Sequence, residues 1–188
     1  MRPTQKYMLF EYMIDGIISW YKDVDKGVDI KNELNRLKLI KLNFFITAAS
    51  TEGKKEGLLA YFDDFRAMPF GHVESEIYDQ VKSPIFQKRK YYLGKFSINE
   101  ELVPSDYYTE IEIYKTLIDD AILLLRGKNE NLVKYKSFDL VELSHEWASW
   151  RLVFNIAKSK GLNSMPIPKE IIINENKFYH LKSVMNVY

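Results

Sequence analysis

No cysteine occurs among the 188 residues. That excludes disulfides, thiolate zinc sites and thiol catalysis, and it suits a reducing compartment without requiring one. An excess of either charge is lacking too: 27 Lys and Arg stand against 26 Asp and Glu, a formal net charge of +1. No global field therefore draws the chain towards nucleic acid or a membrane. Long apolar runs are missing; the tightest, at residues 121–125, falls far short of the roughly 20 residues that a spanning helix needs. Lys6, Glu11 and Asp15 interrupt the first fifteen residues, so no signal-peptide core is read there and the cytoplasm is the expected location. Histidine is scarce, with only His72, His145 and His180. His145-Glu146 opens like a zinc-protease motif, but Ser149 stands where the second histidine must follow one helical turn on. No nucleophile elbow, phosphate loop or dinucleotide fingerprint is present. No catalytic residue, cofactor or metal is expected.

What is present describes a folded domain. Apolar residues make up 46% and charged residues 28%, ordinary proportions for a globular chain. The length allows a substantial core, and residues 1–188 read as a single domain. Thirteen Tyr, eleven Phe and three Trp are a high aromatic load, the residue class that fills cores and dominates interface hot spots. Apolar positions 7, 10, 14, 17 and 21 have helical spacing. A second helix is predicted over 30–49, capped by Asp29, apolar around most of its circumference with Asn35, Lys38 and Lys41 as one narrow polar stripe. Residues 58–62 read as a short strand or helical turn. Residues 63–71 are turn-rich: Pro69 biases Met68 towards extended geometry and Gly71 is free to take angles that other residues avoid. A helix is predicted over 73–81 with Glu74 and Glu76 in its first turn. Residues 98–104 read as a loop. Further helices are predicted over 105–125 and 137–157, the latter with Trp147 and Trp150 on one face. Residues 171–173 read as a short strand before a final helix, or as part of a tail. The expected fold is mainly α: a helical bundle of about five to seven helices, with a small β element near 58–68 and 171–173.

Two groups of charges invite chemistry. Residues 82–95 carry Lys82, Lys88, Arg89, Lys90 and Lys95 with no acid between them, beside Tyr91 and Tyr92. Basic plus aromatic is the composition of single-strand binders, although a solvated loop with inward tyrosines has the same sequence. Asp63-Asp64, Glu100-Glu101 and Asp119-Asp120 are paired carboxylates, but neighbours in sequence generally point different ways, so turn and surface roles come first. Asp64, just ahead of the turn, is the one acid that an enzyme reading would combine with His72 or His145 in a cleft.

Two segments in order, Leu37-Lys38-Leu39-Ile40-Lys41-Leu42-Asn43-Phe44-Phe45 and then Phe65, Ala67, Met68, Phe70, Gly71, His72, Val73 and Tyr78, resemble the Panacea domain family. That family has a Leu-Lys-Leu-x-Lys-Leu-x-Tyr-Phe helix ahead of a Phe-x-Ala-Trp turn segment. Leu140, Leu143, Ser144, His145 and Trp150 echo a later family stretch. The resemblance runs from about residue 8 to 156. Met68 stands where the family favours Trp, His72 where it favours Pro, and Ser144 where it favours Thr.

The resemblance implies a mainly helical fold and an antitoxin that neutralises a cognate toxin, one encoded nearby, by direct protein contact; some members look like proteolytic adaptors or phage-associated proteins. On that reading the partner-binding candidates are His72, Glu74 and Tyr78 around the turn, and His145 and Trp150 on the later helix. The alternative is a nucleic-acid-binding or phage-associated regulator using residues 82–95.

Overall fold

The computed structural model describes residues 1–82 and 89–181. Pro3 suits the first helical position, where its missing N–H costs nothing, and α1 (Pro3–Val24) buries Leu9, Phe10, Met13, Ile14, Ile17 and Trp20. The helix predicted over 30–49 is two helices, α2 (Ile30–Glu33) and α3 (Arg36–Ala49). They part at Leu34 and Asn35, both extended. Asn35 supplies the reason. Its side chain accepts the Lys38 N–H at 3.1 Å, so it serves as the N-cap of α3 rather than as a helical residue. Asp29, the predicted cap, makes no such bond.

From Lys38 to Ala49 every residue of α3 is buried. Helices α1, α5 and α6 and strand β2 surround it, as its all-round apolar character implies. The polar stripe is corrected by the same packing: Lys38 and Lys41 are buried, not solvated.

Two 3-10 turns (Glu52–Lys54 and Gly57–Ala60) lead into a hairpin of β1 (Phe65–Met68) and β2 (Gly71–Glu74). The strands pair antiparallel, Met68 opposite Gly71 and Phe65 opposite Glu74, so Pro69 and Phe70 form the tip. Helix α4 (Ser75–Lys82) starts later than predicted because Val73 and Glu74 belong to β2. A second hairpin, β3 (Tyr91–Leu93) with β4 (Ile98–Glu100), stands where a loop was expected. Residues 105–125 divide into a 3-10 stretch (Thr109–Tyr114) and α5 (Lys115–Lys128). The helix predicted over 137–157 breaks into α6 (Ser137–His145) and α7 (Ala148–Ser159). Strand β5 (Met165–Pro166) adds to β1, giving the order β2-β1-β5. Residues 171–173 lie in α8 (Lys169–Asn174), not in a strand.

The fold is thus mainly α, with eight α-helices and two small sheets among the described residues. One buried apolar cluster links α1, α3, α5 and the α6–α7 corner, with Trp20, Phe44, Phe45 and Trp147 among its largest members. No helix of the described residues is long and apolar enough to cross a membrane. Asn35 also holds the Ser137 hydroxyl at 3.1 Å, so it joins the start of α3 to the start of α6. Asn35→Ala is expected to lower stability by about 1 kcal/mol, read as a urea midpoint, with Asn35→Asp recovering most of it; an unchanged midpoint in the alanine variant would rule out a stabilising cap.

Candidate functional site

The β1–β2 turn is where the sequence-singled residues converge. Gly71 adopts φ +89°, a left-handed geometry that favours glycine. A Cβ there would lie 2.4 Å from Ser144 Oγ and 3.2 Å from Lys41 Nζ, so conformation and space both require glycine. Buried or half-buried donors hold the carbonyls around the tip. Trp150 Nε1 donates to Met68 O at 2.8 Å, and Lys41 Nζ donates to His72 O at 2.5 Å. His145 hydrogen-bonds the Pro69 backbone, which has only its carbonyl to offer.

The break between α6 and α7 makes this possible. Trp147 is extended (φ −72°, ψ 136°) and caps α7. Ser144 and His145 at the end of one helix therefore approach the turn together with Ser149 and Trp150 at the start of the next. A continuous helix would carry these pairs to different heights on one cylinder. Periodicity ran through the break because both helices bury the same side. The two serines in an otherwise apolar inward row were the available signal.

His72 is fully buried. Its ring stacks on Phe44 at 3.6 Å, and its two nitrogens lie 2.8 Å from Ser144 Oγ and 2.7 Å from Ser149 Oγ. Its backbone N–H donates to the same Ser144 oxygen at 3.0 Å, which leaves the Ser144 proton for Nδ1 and the ring proton on Nε2. The proton order then continues from Nε2 to Ser149 Oγ, and from the Ser149 hydroxyl to the buried carboxylate of Glu175. Glu175 also accepts the Ser149 N–H at 3.0 Å, a remote cap on α7. Burial holds His72 well below its ordinary pKa, with Lys41 and His145 adding to the effect, so the ring is neutral. Burial likewise lowers His145, with a smaller contribution from Lys41.

Lys41 is 0% exposed. Burial alone pushes its amine down to about 7, and no carboxylate among the described residues pairs with it. Among the described residues its hydrogen-bond acceptor is the His72 carbonyl.

The predicted site residues therefore divide. His72 and Glu74 are buried in the core. Glu74 serves elsewhere in the hairpin: it accepts Lys6 Nζ at 2.9 Å and the Ile77 N–H at 2.7 Å, starting α4. Asp63 and Glu76 also hold Lys6, at 2.7 and 2.5 Å. These three carboxylates could hold a metal ion by their spacing, but the Lys6 ammonium already lies among them. Burial opposes the charge on Lys6, yet the three acids outweigh it and raise the amine above its usual range.

Tyr78 is half-buried, with Lys82 5.0 Å from its ring centre. His145 and Trp150 are half-buried and stacked at 3.9 Å, and Phe154 continues the stack at 4.8 Å. Trp147, by contrast, is wholly buried. Asp64 lies at the open end of the hairpin beside Arg66, so it does not join the two histidines. Sequence reasoning missed the exposed members: Phe70 at the tip, 55% exposed, and Phe138 on α6, 63% exposed, which meet edge-to-face at 6.4 Å.

The basic stretch is not a row of solvated cations. Arg89 is buried and donates to Gln80 O at 2.8 Å. Lys90 pairs with Asp15 at 2.7 Å. Tyr91 is buried, whereas Tyr92 is exposed. Lys88 and the Ser83-Pro84 step lie outside the described residues.

A family model described as "Antitoxin SocA-like, Panacea domain" matches residues 39–151. No curated protein and no solved structure matches the chain. The matched span holds α3 from Leu39 onward, the β1–β2 hairpin, α6 and the start of α7; Lys6 and Glu175 lie outside it.

Lys41 predicts a pH dependence. Its ordinary value is 10.5 and its folded value about 7, so between these the unfolded chain binds more protons and stability rises with pH. The contribution is at most about 1.4 kcal/mol per pH unit; the penalty is fully present below about pH 7 and gone above about 10.5. Lys41→Met is expected to flatten the stability profile across that window, measured by urea unfolding at several pH values. Lys38→Met, whose parent amine burial lowers to about 8, should flatten it only above about pH 8. An unaltered slope in Lys41→Met would mean that the buried amine keeps its proton.

Proposed function

Because this chain belongs to the family of SocA-like antitoxins built on the Panacea domain, we propose that it neutralises a partner toxin by direct protein–protein contact. We read the turn tip as the centre of that contact. The observation that carries this reading is an exposed aromatic pair: Phe70, on a turn whose carbonyls are tied to buried or half-buried donors, and Phe138, beside it on α6. Aromatic side chains on a rigid base are what hot spots are made of: they bury much area and lose little entropy on binding. His145 and Trp150 lie partly exposed beneath the tip and would fill its periphery; Tyr78, on α4 past the open end of the hairpin, would join only a wider contact, whereas His72 and Glu74 would act from below. A standard interface of about 1,600 Å² is large enough to take in the tip together with the adjoining stack.

We also read residues 1–188 as one domain, because the buried cluster includes residues as far apart as Tyr7 and Tyr179. The cytoplasm is the compartment that this reading places it in. The partner would be encoded nearby, so co-expression with the product of the neighbouring gene is the direct test. Phe70→Ala and Phe138→Ala are each expected to weaken the complex by tenfold or more and to reduce rescue of growth, while the free chain melts as before. If the neighbouring product is harmless, or is toxic yet neither bound nor rescued, the antitoxin reading fails.

A further inference from the structure

We propose that the solvent face of α7 is a docking surface for an acidic patch of the partner protein; this rests on the reading that the chain acts by protein contact. From Trp147 to Lys169 there is no acid, while Arg151, Lys158, Lys160 and Lys169 are cationic. Lys169 is neutralised by Glu56. The other three have no carboxylate within ion-pair distance among the described residues. On the far side of the fold, by contrast, Lys115, Arg126 and Lys128 each have one.

About 100° or more round the helix from Arg151 and Lys158 lie aliphatic side chains that the fold leaves in water. Leu152 is 58% exposed, and Ile156, one helical turn on, is 45% exposed. Leu162 follows just beyond the helix, also exposed. The core side of α7 is already served by Ser149, Val153 and Ala157, so this second apolar stripe does nothing for the fold. Residues two apart on a helix do not share a face, so this stripe lies on the flank of α7 away from Phe154; the other flank, with Arg151 and Lys158, reaches the turn through the aromatic stack. Trp150 touches Met68 O, Phe154 stacks on Trp150 at 4.8 Å, and Lys158 lies 5.6 Å from the Phe154 ring centre.

An aliphatic flank beside a cationic one calls for an apolar counterpart beside an anionic one. Complementary charge mainly raises the encounter rate and fixes orientation. Exposed Leu and Ile favour a protein over a nucleic acid, because phosphate and sugar offer them nothing to pack against, and nucleic-acid interfaces are polar and wet.

The test places a photo-crosslinking amino acid at Leu152, at Phe70 and, as a control remote in the fold, at Leu102, in cells carrying the chain with its native gene neighbours. Leu152 and Phe70 are expected to capture the same protein, with the Leu152 crosslink mapping to a segment rich in Asp and Glu. With that protein purified, the triple variant R151E/K158E/K160E should associate at least tenfold more slowly at low salt, and the wild-type rate should fall as salt rises. The free variant should melt like the parent, since all three side chains are exposed. Capture at Phe70 but not at Leu152 would overturn this inference and leave the antitoxin reading standing. So would capture at Leu152 of a second copy of the chain, of nucleic acid or of a basic surface, or a rate indifferent to the charge reversal. No protein captured at either position would overturn both.

Discussion

Much of this structure turns on one hydrogen bond, from a lysine amine sealed inside the protein to the carbonyl of His72. An isolated ammonium in a medium of low polarity is very costly, and the cheapest relief is to give up the proton. Burial brings this amine down to about 7, so near neutrality it is partly deprotonated, and in either state it can still donate from α3. The bond ties β2 to α3. A Cβ on residue 71 would meet Ser144 on α6 first and the amine itself at 3.2 Å, so the turn is closed in from both helices. Beside the bond the His72 ring lies on Phe44, with both ring nitrogens within reach of serines.

The parts of the fold that were legible from sequence are those where local rules and burial agree. Residues 37–49 are apolar in every direction, and α3 is enclosed on every side. Pro69 and Gly71 marked a turn, and a turn forms there. The helix breaks were hidden for a common reason. At Asn35 and at Trp147 the chain changes direction while keeping its apolar side inward, so the helical period passes through unaltered. Asn35 was legible as a polar residue but not as a cap, because capping is decided by its dihedral angles. At residues 171–173 three isoleucines suggested a strand, yet only the middle one is buried in a short helix.

The candidate site was legible in place but not in depth. His72, His145 and Trp150 do gather at the turn, and Tyr78 follows on the helix after it. Nothing in a sequence distinguishes a histidine that faces a partner from one that lies beneath the surface a partner touches; that depends on Ser144 and Ser149, more than seventy residues away. Lys38 and Lys41 carried the same ambiguity, since lysine on a helix is ordinarily a solvent residue. Phe70 and Phe138 show the converse, large apolar side chains left outside.

Glu175 and Lys6 both lie beyond the span that the family model matches, yet one completes the proton order behind His72 and the other anchors Glu74. The recognisable core is therefore braced by flanking segments that a shared motif does not specify. Stiffness at the tip becomes adjustable from a distance. A lineage can retune how firmly its recognition loop is held by editing an acid in the tail or a lysine in the first helix, without altering a residue that a partner would touch.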